Sequence, residues 1–519
     1  MVKWLSILVI VQYFLCITGY KILVLSPLPG RSHGILGEGI VNLLSKAGHE
    51  VTYITGVLPS KSQPGVTIVD VTENAKILED GALNIKTKME SSGGNEFFNF
   101  IPLLMELSKS TIENPKVQRL LSDKSQKFDL VIVEWMFNEV YAGFAGVFNC
   151  PFIWFSTVEP HWMILQLVDE IPNPAYNVDI TSNGFPPLSF KERVVELSLV
   201  IAEKLLQVFY VSGLENDIYE KLFVPHIRNR GLPVPTLEAL KYNASLVLSN
   251  SHVSMGSATR LPPNFIPVGG FHIDTAVKPL PEDLKKIMDN AKHGVIYFSM
   301  GSNLRSKHFP EELRRDFLKM FGELKQTVLW KFEDDLPNLP SNVHILKWAP
   351  QQSILAHKNC VLFITHGGLL STTETIHYGV PVIGIPVFGD QFVNIARGVK
   401  KGYAKKVDLS YKMTGDLKIA IEEIIADPKY KKKVKELSKI YHDRSVHPSK
   451  DLVHWVEHVV KTGGALHLRS PAFLMPWYQK LYLDLIAVLI VIIISVKYLL
   501  RFICSWLCKK KTLSSKKIN

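Results

Sequence analysis

The chain has 519 residues, of which 47% are hydrophobic and 21% charged, and its formal net charge is +11. A single hydrophobic core stops growing near roughly 250–300 residues, so we expect two domains. The charge does not indicate a nucleic-acid-binding protein, because Lys3 and the basic residues of the last 23 positions account for most of it and leave only about +3 for the body.

The N-terminal segment has the pattern of a targeting sequence. Lys3 is followed by an apolar run from Trp4 to Ile17 and then by small residues. This order is typical of a cleaved secretory signal peptide, and we assign residues 1–19 to it. A buried first helix is the weaker alternative, because the next residues, YKILVLSP, already have the composition of a buried strand.

The C-terminal segment predicts a membrane anchor. Residues 483–507 are strongly apolar, and Lys497 and Arg501 within them can extend along a helix toward the interface. Residues 508–519 form a basic tail that should face the cytosol. The tail ends in KKIN, a di-lysine ending of the kind that cytosolic coat proteins read to return membrane proteins to the endoplasmic reticulum. The two ends together predict a single-pass type I protein of the endoplasmic reticulum membrane with a lumenal body.

The body contains few residues that predict covalent modification. Cys150 and Cys360 are its only cysteines, which excludes a disulfide framework and leaves one bond between them open. Asn243 begins the only N-x-S/T sequon, so glycosylation is permitted there.

Apolar runs that alternate with helical patterns predict a parallel α/β sheet in the first half of the chain. The runs are KILVLSP, HEVTYIT, FDLVIVEWM, CPFIWFST and ASLVLSNS. Prolines and glycines cluster at 261–284, which is the best domain boundary. We therefore expect a first domain at 20–270, a linker at 271–284, a second domain at 285–465 and a juxtamembrane segment at 466–482.

One helical segment, residues 191–214, is apolar nearly all round. A buried helix is the favoured interpretation. A helix that lines an apolar pocket or touches a bilayer surface is the alternative.

The second half contains a further set of apolar runs that predict the strands of a second parallel sheet, and one of them leads into a glycine turn. The runs are GVIYFSMGS, TVLWKFE, VHILKWAP, CVLFITHGG and VPVIGIPVFGD. The run CVLFIT ends at Thr365. His366, Gly367 and Gly368 follow it, and then a helical pattern that includes Ser371. In doubly wound sheets ligands bind beyond the carboxyl ends of the strands, and a helix N-terminus offers free N–H groups to an anion. The turn therefore predicts a phosphate site.

Polar and aromatic residues around this turn suit a nucleoside and a sugar. Glu374 lies about two helical turns beyond His366, where a carboxylate can accept hydrogen bonds from ribose hydroxyls. Asp390 and Gln391 follow the next strand and suit sugar hydroxyls, while Trp348 offers a flat face and Gln351 an amide to a base.

The stretch FITHGGLLSTTETIHYGVPVIGIPVFGDQ resembles the donor-binding signature of the UDP-glycosyltransferase family in the order and spacing of its His, Gly, Glu, Pro and Asp-Gln residues. The resemblance covers nearly the whole chain, and THGGLLST with EIPNPAYN is similar to arthropod members of the membrane-bound animal branch. It implies a GT-B fold, in which two Rossmann-like domains face each other across a cleft.

The resemblance also assigns roles to residues. It implies that Trp348 stacks on uracil, that Gln351 contacts the nucleotide, that Ser302, Thr365 and His366 bind phosphate, that Glu374 binds ribose and that Asp390 and Gln391 hold the sugar. Arg260 matches a basic residue near the diphosphate. This chain has Leu370 where vertebrate relatives have Asn, so the backbone N–H groups of Leu370 and Ser371 would have to replace a side-chain contact.

The catalytic base is expected in the first domain. His33 lies at the end of the loop after the first strand and matches the family's catalytic histidine, and an imidazole there can take a proton from an alcohol or phenol. A carboxylate should hold its tautomer. The family has an Asp at that position and this chain has Glu134, with Asp129 and Glu139 as fallback candidates.

The sequence thus favours an inverting transfer of sugar, with glucose the favoured donor group, from a UDP-sugar to a small lipophilic hydroxyl acceptor. UDP-glucuronic acid as donor, a non-catalytic lipophile-binding relative and a dinucleotide-dependent oxidoreductase are the alternatives, and GILGEG lacks the glycine order of the last. The absence of a D-x-D sequence predicts that neither a metal nor another cofactor is needed. Oligomerisation is left open.

Overall fold

A computed structural model describes residues 19–78, 84–90, 96–168, 173–180, 182, 184–256, 259–274 and 276–515. Residues 1–18 of the predicted signal peptide and the KKIN ending lie outside the described residues. The described chain divides into two compact units, one that ends at Arg469 and one that begins at Ser470.

The first unit contains two parallel sheets. The strands of the first sheet are β1 Lys21–Ser26, β2 Glu50–Thr55, β3 Val66–Asp70, β4 Leu130–Glu134, β5 Phe152–Ser156, β6 Leu246–Ser249 and β7 Phe265–Pro267, in the order β3-β2-β1-β4-β5-β6-β7. The strands of the second are β8 Val295–Ser299, β9 Thr327–Lys331, β10 Val343–Leu346, β11 Cys360–Thr365, β12 Val382–Gly384 and β13 Ala404–Lys406, in the order β10-β9-β8-β11-β12-β13. Both orders reverse direction once, as in a doubly wound fold, so the predicted pair of Rossmann-like sheets is confirmed.

Helices cover both faces of each sheet. The described α-helices of the first unit span Arg31–Lys46, Ala75–Leu78, Ile85–Glu90, Glu96–Glu113, Pro115–Ser122, Gly143–Phe148, Trp162–Leu165, Phe190–Leu206, Ser212–Leu222, Val224–Asn229, Leu237–Lys241, Glu282–Asn290, Glu311–Gly322, Gln351–Ala356, Leu369–Tyr378, Gln391–Lys401, Met413–Ala426, Pro428–His442 and Pro448–Lys461. Successive residues of β1, Leu23 and Val24, belong to separate apolar clusters on opposite faces of the first sheet. Burial on both faces explains why the central strands are continuous apolar runs.

The last of these helices returns to the first sheet. Pro448–Lys461 follows the second sheet in the chain, yet Leu452, Val456 and Val459 are buried in the same cluster as Ile22 and Val24. This crossing ties the end of the second domain to the first.

The helix Phe190–Leu206 corrects one sequence-based interpretation. The buried helix that we favoured is wrong, because Leu197, Ile201 and Leu205 are about half exposed while Glu196 and Glu203 are buried. The cause is that the two carboxylates accept hydrogen bonds on the inner side, Glu203 from Trp162 Nε1 at 2.6 Å and Glu196 from the backbone N–H of Asp179 at 3.0 Å.

The second unit contains the candidate anchor. Its helices are Trp477–Lys480 and Leu483–Ser515, and residues Leu483–Leu507 of the latter have a mean hydropathy of 2.6. Twenty-five residues rise about 37 Å along an α-helix, which exceeds the roughly 30 Å of a bilayer's hydrocarbon core. The helix is therefore long and apolar enough to cross a membrane, over the residues that the sequence predicts.

Candidate active site

The loops at the carboxyl edge of the second sheet come together as predicted. Thr365, the last residue of β11, pairs with Ser299 of β8 and with Gly384 of β12. The loops after these strands therefore start side by side, and they carry Ser302, His366 and Asp390. The β8/β11 junction is the point where the strand order reverses, which is the usual ligand position in such sheets.

A helix begins directly after the glycine turn. Leu369–Tyr378 has Gly368 at its N-cap, and Ser371 lies in its first turn. The first N–H groups of a helix have no intrahelical acceptor, so those of Leu369 and Leu370 are available to an anion. Gly367 has φ +88°, a conformation that favours glycine, so the turn depends on this residue.

The His366 ring lies between two glycines. A Cβ at Gly301 or at Gly368 would come within 2.6 Å of the ring, so neither position has room for a larger residue. Burial and the nearby charge of Lys331 lower the pKa of His366 to about 4. The ring is therefore neutral at physiological pH and can donate one N–H bond to a phosphate oxygen, with Thr365 Oγ1 3.3 Å from its Nδ1.

Glu374 is buried below this turn and two amides contact it. Gln351 Nε2 donates to one oxygen at 2.6 Å and Gln352 Nε2 to the other at 3.1 Å. Burial raises the pKa of Glu374 to about 7, against the opposing effect of the two hydrogen bonds. Gln351 also donates to Ser371 Oγ at 3.2 Å. Gln351, predicted to contact the nucleobase, and Glu374, predicted to bind the ribose, therefore belong to one hydrogen-bond network.

Asp390 and Gln391 adjoin at the end of the loop after β12. Asn394 Nδ2 donates to Asp390 Oδ2 at 2.8 Å and to the carbonyl of Gly367 at 3.1 Å, so Asn394 connects the carboxylate with the phosphate turn. Gln391 Oε1 accepts from the backbone N–H of Val387 at 2.8 Å, which fixes this amide against its own loop. Burial raises the pKa of Asp390, and the hydrogen bond from Asn394 opposes this effect.

The flat face of Trp348 has a partner from the other domain. The guanidinium carbon of Arg31 lies 3.9 Å from the centroid of the Trp348 ring, which is a close cation–π contact. Trp348 is 54% exposed, so a ring-shaped ligand can reach it. The guanidinium thus occupies one face of the ring on which a base is predicted to stack.

His33 lies at the corresponding reversal point of the first sheet, between β1 and β4. Its Nδ1 hydrogen-bonds to Glu134 Oε1, while Ser26 Oγ donates to the second oxygen, Glu134 Oε2, at 2.8 Å. Ser26 and Glu134 end neighbouring strands, which explains how they meet. The carboxylate is 1% exposed, so it can fix the imidazole through Nδ1 and leave Nε2 for a substrate.

The two fallback carboxylates do not contact this imidazole. Asp129 Oδ2 accepts from the backbone N–H of Lys21, at the amino edge of the sheet. Glu139 accepts from Trp135 Nε1 at 3.1 Å and from Gln207 Nε2 at 3.0 Å. The extra methylene of Glu134, compared with the Asp of the family, is thus compatible with contact to His33.

The two halves of the site face each other. A Cβ at Gly30 would lie 3.0 Å from His33 Cδ2 and 3.1 Å from the amide of Asn303, so the first-domain loop closely approaches the loop after β8. After the hydrogen bond from Asn394, a positive charge on His33 also opposes the rise that burial causes in the pKa of Asp390, so the two side chains are near enough to interact. An imidazole and a predicted sugar carboxylate therefore share one cleft.

The chain matches a known protein family over nearly its whole length. The family model described as "UDP-glucoronosyl and UDP-glucosyl transferase" matches residues 21–518. The chain belongs to this family. UDP-glucosyltransferase 2 of Dactylopius coccus is 33% identical over 502 residues, covering 96% of this chain and 95% of the relative. UDP-glucuronosyltransferase 2B15 of Homo sapiens is 29% identical over 540 residues, covering 99% of both.

Solved structures support the fold. CalG4, the calicheamicin glycosyltransferase, aligns with a TM-score of 0.56 at 15% identity, covering 86% of this chain and 99% of that one. A UDP-glucosyltransferase from Polygonum tinctorium aligns with a TM-score of 0.55 at 17% identity, covering 85% and 99%. The GT-B prediction is confirmed, and the chain is a glycosyltransferase for which the family implies a UDP-sugar donor.

Several residues of this glycosyltransferase site were missed by sequence reasoning. Lys331 is buried at the end of β9, and its Nζ donates to the carbonyl of Gly301 at 3.0 Å, beside the phosphate turn. A single cation that ends a buried strand was a usable signal. Asn394, Gln352 and Arg31 gave no such signal, because their roles depend on contacts between separate loops.

Other predicted residues are placed as follows. Arg260 is exposed in the segment that leads into β7, and its role near the diphosphate stays a prediction. Asn243 is exposed in the turn before β6, where a glycan has room. Cys150 and Cys360 are unpaired. Leu370, at the position of the family's Asn, packs against the apolar cluster on the first sheet.

The described residues of this glycosyltransferase contain no cluster of three or more His, Cys, Asp or Glu side chains arranged to hold a metal ion.

A pocket beside the cleft is lined by His161, Trp162 and Val200 of the first domain and by Arg397 of the second. Arg397 belongs to the helix Gln391–Lys401 that follows Asp390, so this pocket lies next to the predicted sugar site.

Proposed function

We propose that this enzyme transfers glucose from UDP-glucose to a hydroxyl of small lipophilic acceptors, with inversion to a β-glycoside. The observation that carries the proposal is the Ser26–Glu134–His33 chain of hydrogen bonds, which faces Asp390 across the cleft. The similarity to the UDP-glucosyltransferase of Dactylopius coccus supports glucose as the donor group.

The residues act in sequence. Nε2 of His33 accepts the proton of the acceptor hydroxyl, and Glu134 stabilises the imidazolium that forms. The acceptor oxygen attacks the anomeric carbon of the sugar, and the bond between that carbon and the diphosphate oxygen breaks. The leaving UDP keeps the electron pair of that bond, and the N–H groups of the helix Leu369–Tyr378, with the neutral His366, stabilise its charge.

The residues predicted to bind the UDP-sugar contact different parts of it. Trp348 would stack on the uracil, and Glu374 would accept hydrogen bonds from the ribose hydroxyls in place of one or both Gln amides. Ser302 and Thr365 would add hydroxyl donors to the phosphates. Asp390 and the free amide nitrogen of Gln391 would hold the sugar.

We also propose that the enzyme is a type I protein of the endoplasmic reticulum with a lumenal body and a detoxification-type role. The apolar helix Leu483–Leu507 and the exposed Asn243 support this topology.

The test is a transfer assay on microsomes that express the full chain. UDP-glucose and UDP-glucuronic acid would each be paired with phenols, steroids and plant metabolites, and the products read by mass spectrometry. Hexose adducts from UDP-glucose alone are expected. Glucuronide adducts would show that UDP-glucuronic acid is the donor. UDP binding without any product would favour a non-catalytic relative.

A further inference from the structure

A lysine at the end of the helix Gln391–Lys401 holds a turn of the first domain. Lys401 Nζ donates to the backbone carbonyls of three consecutive residues, Ser254, Met255 and Gly256, at 2.6, 2.8 and 2.9 Å. These residues lie between β6 and β7 of the first sheet, whereas the helix belongs to the second domain. An ammonium group has three N–H donors, so this interaction, which we call the Lys401 contact, uses all of them.

The same turn is packed against both domains. The side chain of Met255 is 4% exposed and lies in an apolar cluster of the second domain, together with Tyr297 of β8 and Ala404 of β13. On its other side the turn approaches the first domain closely, because a Cβ at Gly256 would clash with Glu159 Oε2 in the loop after β5. The turn therefore gives the ammonium a firmly placed set of acceptors.

The charges near Lys401 favour the contact. Glu159 is buried, which raises the pKa of its carboxyl to about 7, while the charges of Arg397 and Lys401 oppose this rise. Burial likewise lowers the pKa of Lys401 to about 8, and the charge of Glu159 opposes this effect. A partly buried ammonium that loses its acceptors is costly, so the end of the helix has one preferred position on the first domain.

The opposite end of this helix carries the residues that are predicted to hold the sugar. Asp390 is its N-cap and Gln391 its first residue, and Asn394 donates to Asp390 Oδ2 at 2.8 Å and to the carbonyl of Gly367 at 3.1 Å. The helix is about 15 Å long, so a tilt of only about 4° would move its far end by about 1 Å. A displacement of this size can slow a reaction about 10²-fold.

We propose that Lys401 is a positioning residue, which fixes one end of the helix on the first domain and thereby sets the position of Asp390 relative to His33. It acts through the helix and not by touching the sugar, because the turn occupies its three donors. The helix Pro448–Lys461 also joins the two domains, but it follows the last strand of the second sheet and does not carry the sugar pair. The proposal rests on the proposed function for the roles of His33 and Asp390.

The test measures the distance between the domains and the turnover separately, on the full chain purified in detergent. Lys401→Met removes the donors and keeps an unbranched side chain, and Lys401→Arg restores a cation with several N–H groups. Lys432→Met, at an exposed lysine of the helix Pro428–His442, is the matched control. Nitroxides are attached through a non-natural keto amino acid in place of the exposed Leu58 of the first domain and Ile419 of the second, and double electron–electron resonance gives the distance distribution.

We expect Lys401→Met to shift or broaden this distribution and to lower kcat for transfer to 1-naphthol about 10–100-fold, while KM for UDP-glucose and Kd for UDP change less than about twofold. Lys401→Arg should keep the native distribution and regain most of kcat, and Lys432→Met should match the native protein in every measurement.

A native distance distribution or a native kcat in Lys401→Met would overturn the proposal. A loss of UDP affinity as large as the loss of kcat would overturn it as well, because it would indicate unfolding of the second domain. A native protein without any transfer activity would instead contradict the proposed function, and the distance distributions would still test the Lys401 contact.

Discussion

Glu134→Gln is the sharpest test of the proposed base. The glutamine amide oxygen can still accept from His33 Nδ1, and its NH₂ can donate to Ser26 Oγ, which in the native protein donates to the carboxylate at 2.8 Å. The substitution therefore preserves the shape and the tautomer and removes only the negative charge. What is lost is the stabilisation of the imidazolium that forms as the acceptor is deprotonated.

The size of the effect follows from this difference. Hydrogen bonds to charged groups contribute about 1.5–3 kcal/mol and neutral ones about 1 kcal/mol, so the charge adds about 0.5–2 kcal/mol in the transition state. We expect kcat to fall about 2–30-fold in Glu134→Gln. Glu134→Ala also frees the ring, and its loss should approach the 10²–10⁴-fold typical of a missing general base.

The assay measures kcat with 1-naphthol and UDP-glucose in parallel with UDP affinity by calorimetry. Asp129→Asn is the matched control, because this carboxylate precedes the same strand but lies at the opposite edge of the sheet. UDP affinity should stay unchanged in all three variants. Wild-type kcat in both Glu134 variants would refute the reasoning.

Three further predictions concern the donor site and the topology. Arg31→Ala removes a guanidinium from the Trp348 ring, so UDP should bind about two- to fivefold more tightly if that contact is worth about 0.5–1 kcal/mol; unchanged or weaker binding in calorimetry would show that base and guanidinium do not compete. Because burial raises the pKa of Glu374 to about 7, its carboxylate is protonated at lower pH, and UDP affinity should fall about tenfold from pH 8 to pH 6. Glu374→Gln should give a shallower profile that keeps only the titration of the terminal phosphate of UDP, and a slope equal to that of the native protein would exclude this group. Asn243→Gln should abolish an endoglycosidase-sensitive mobility shift of the microsomal protein, whereas a native chain without any shift would remove this support for a lumenal body.

The central strands could be predicted because they are buried on both faces and therefore form continuous apolar runs. The strands that the sequence did not reveal, β3, β7 and β13, are all at the edges of their sheets, and β7 and β13 have only three residues each. An edge strand has a neighbouring strand on one side only and packs fewer apolar side chains. Its hydrophobic pattern in the sequence is therefore weak.

The positions of some candidate site residues could also be predicted. Glu134 ends a recognisable strand, and His33, His366 and Asp390 lie in loops after such strands, so their location at the carboxyl edges of the sheets follows from the sequence. Their roles stay predictions. Arg31 could not be predicted in the same way, because its contact with Trp348 exists only when the two domains meet.

The orientation of the helix Phe190–Leu206 was not predictable either. Its sequence is apolar nearly all round, and no hydropathy pattern indicates that Trp162 and the backbone of Asp179 bind its carboxylates on the inner side. Partners distant in the sequence decided which side faces the core.

The central claim is that the imidazole of His33 deprotonates an acceptor and takes no part in binding the nucleotide. The most direct measurement compares His33→Ala with the native protein for single-turnover transfer to 1-naphthol and for UDP affinity. We predict a 10²–10⁴-fold slower transfer, as expected for a general base, with the Kd for UDP unchanged. Transfer at the native rate, or a loss of UDP binding equal to the loss of transfer, would contradict it.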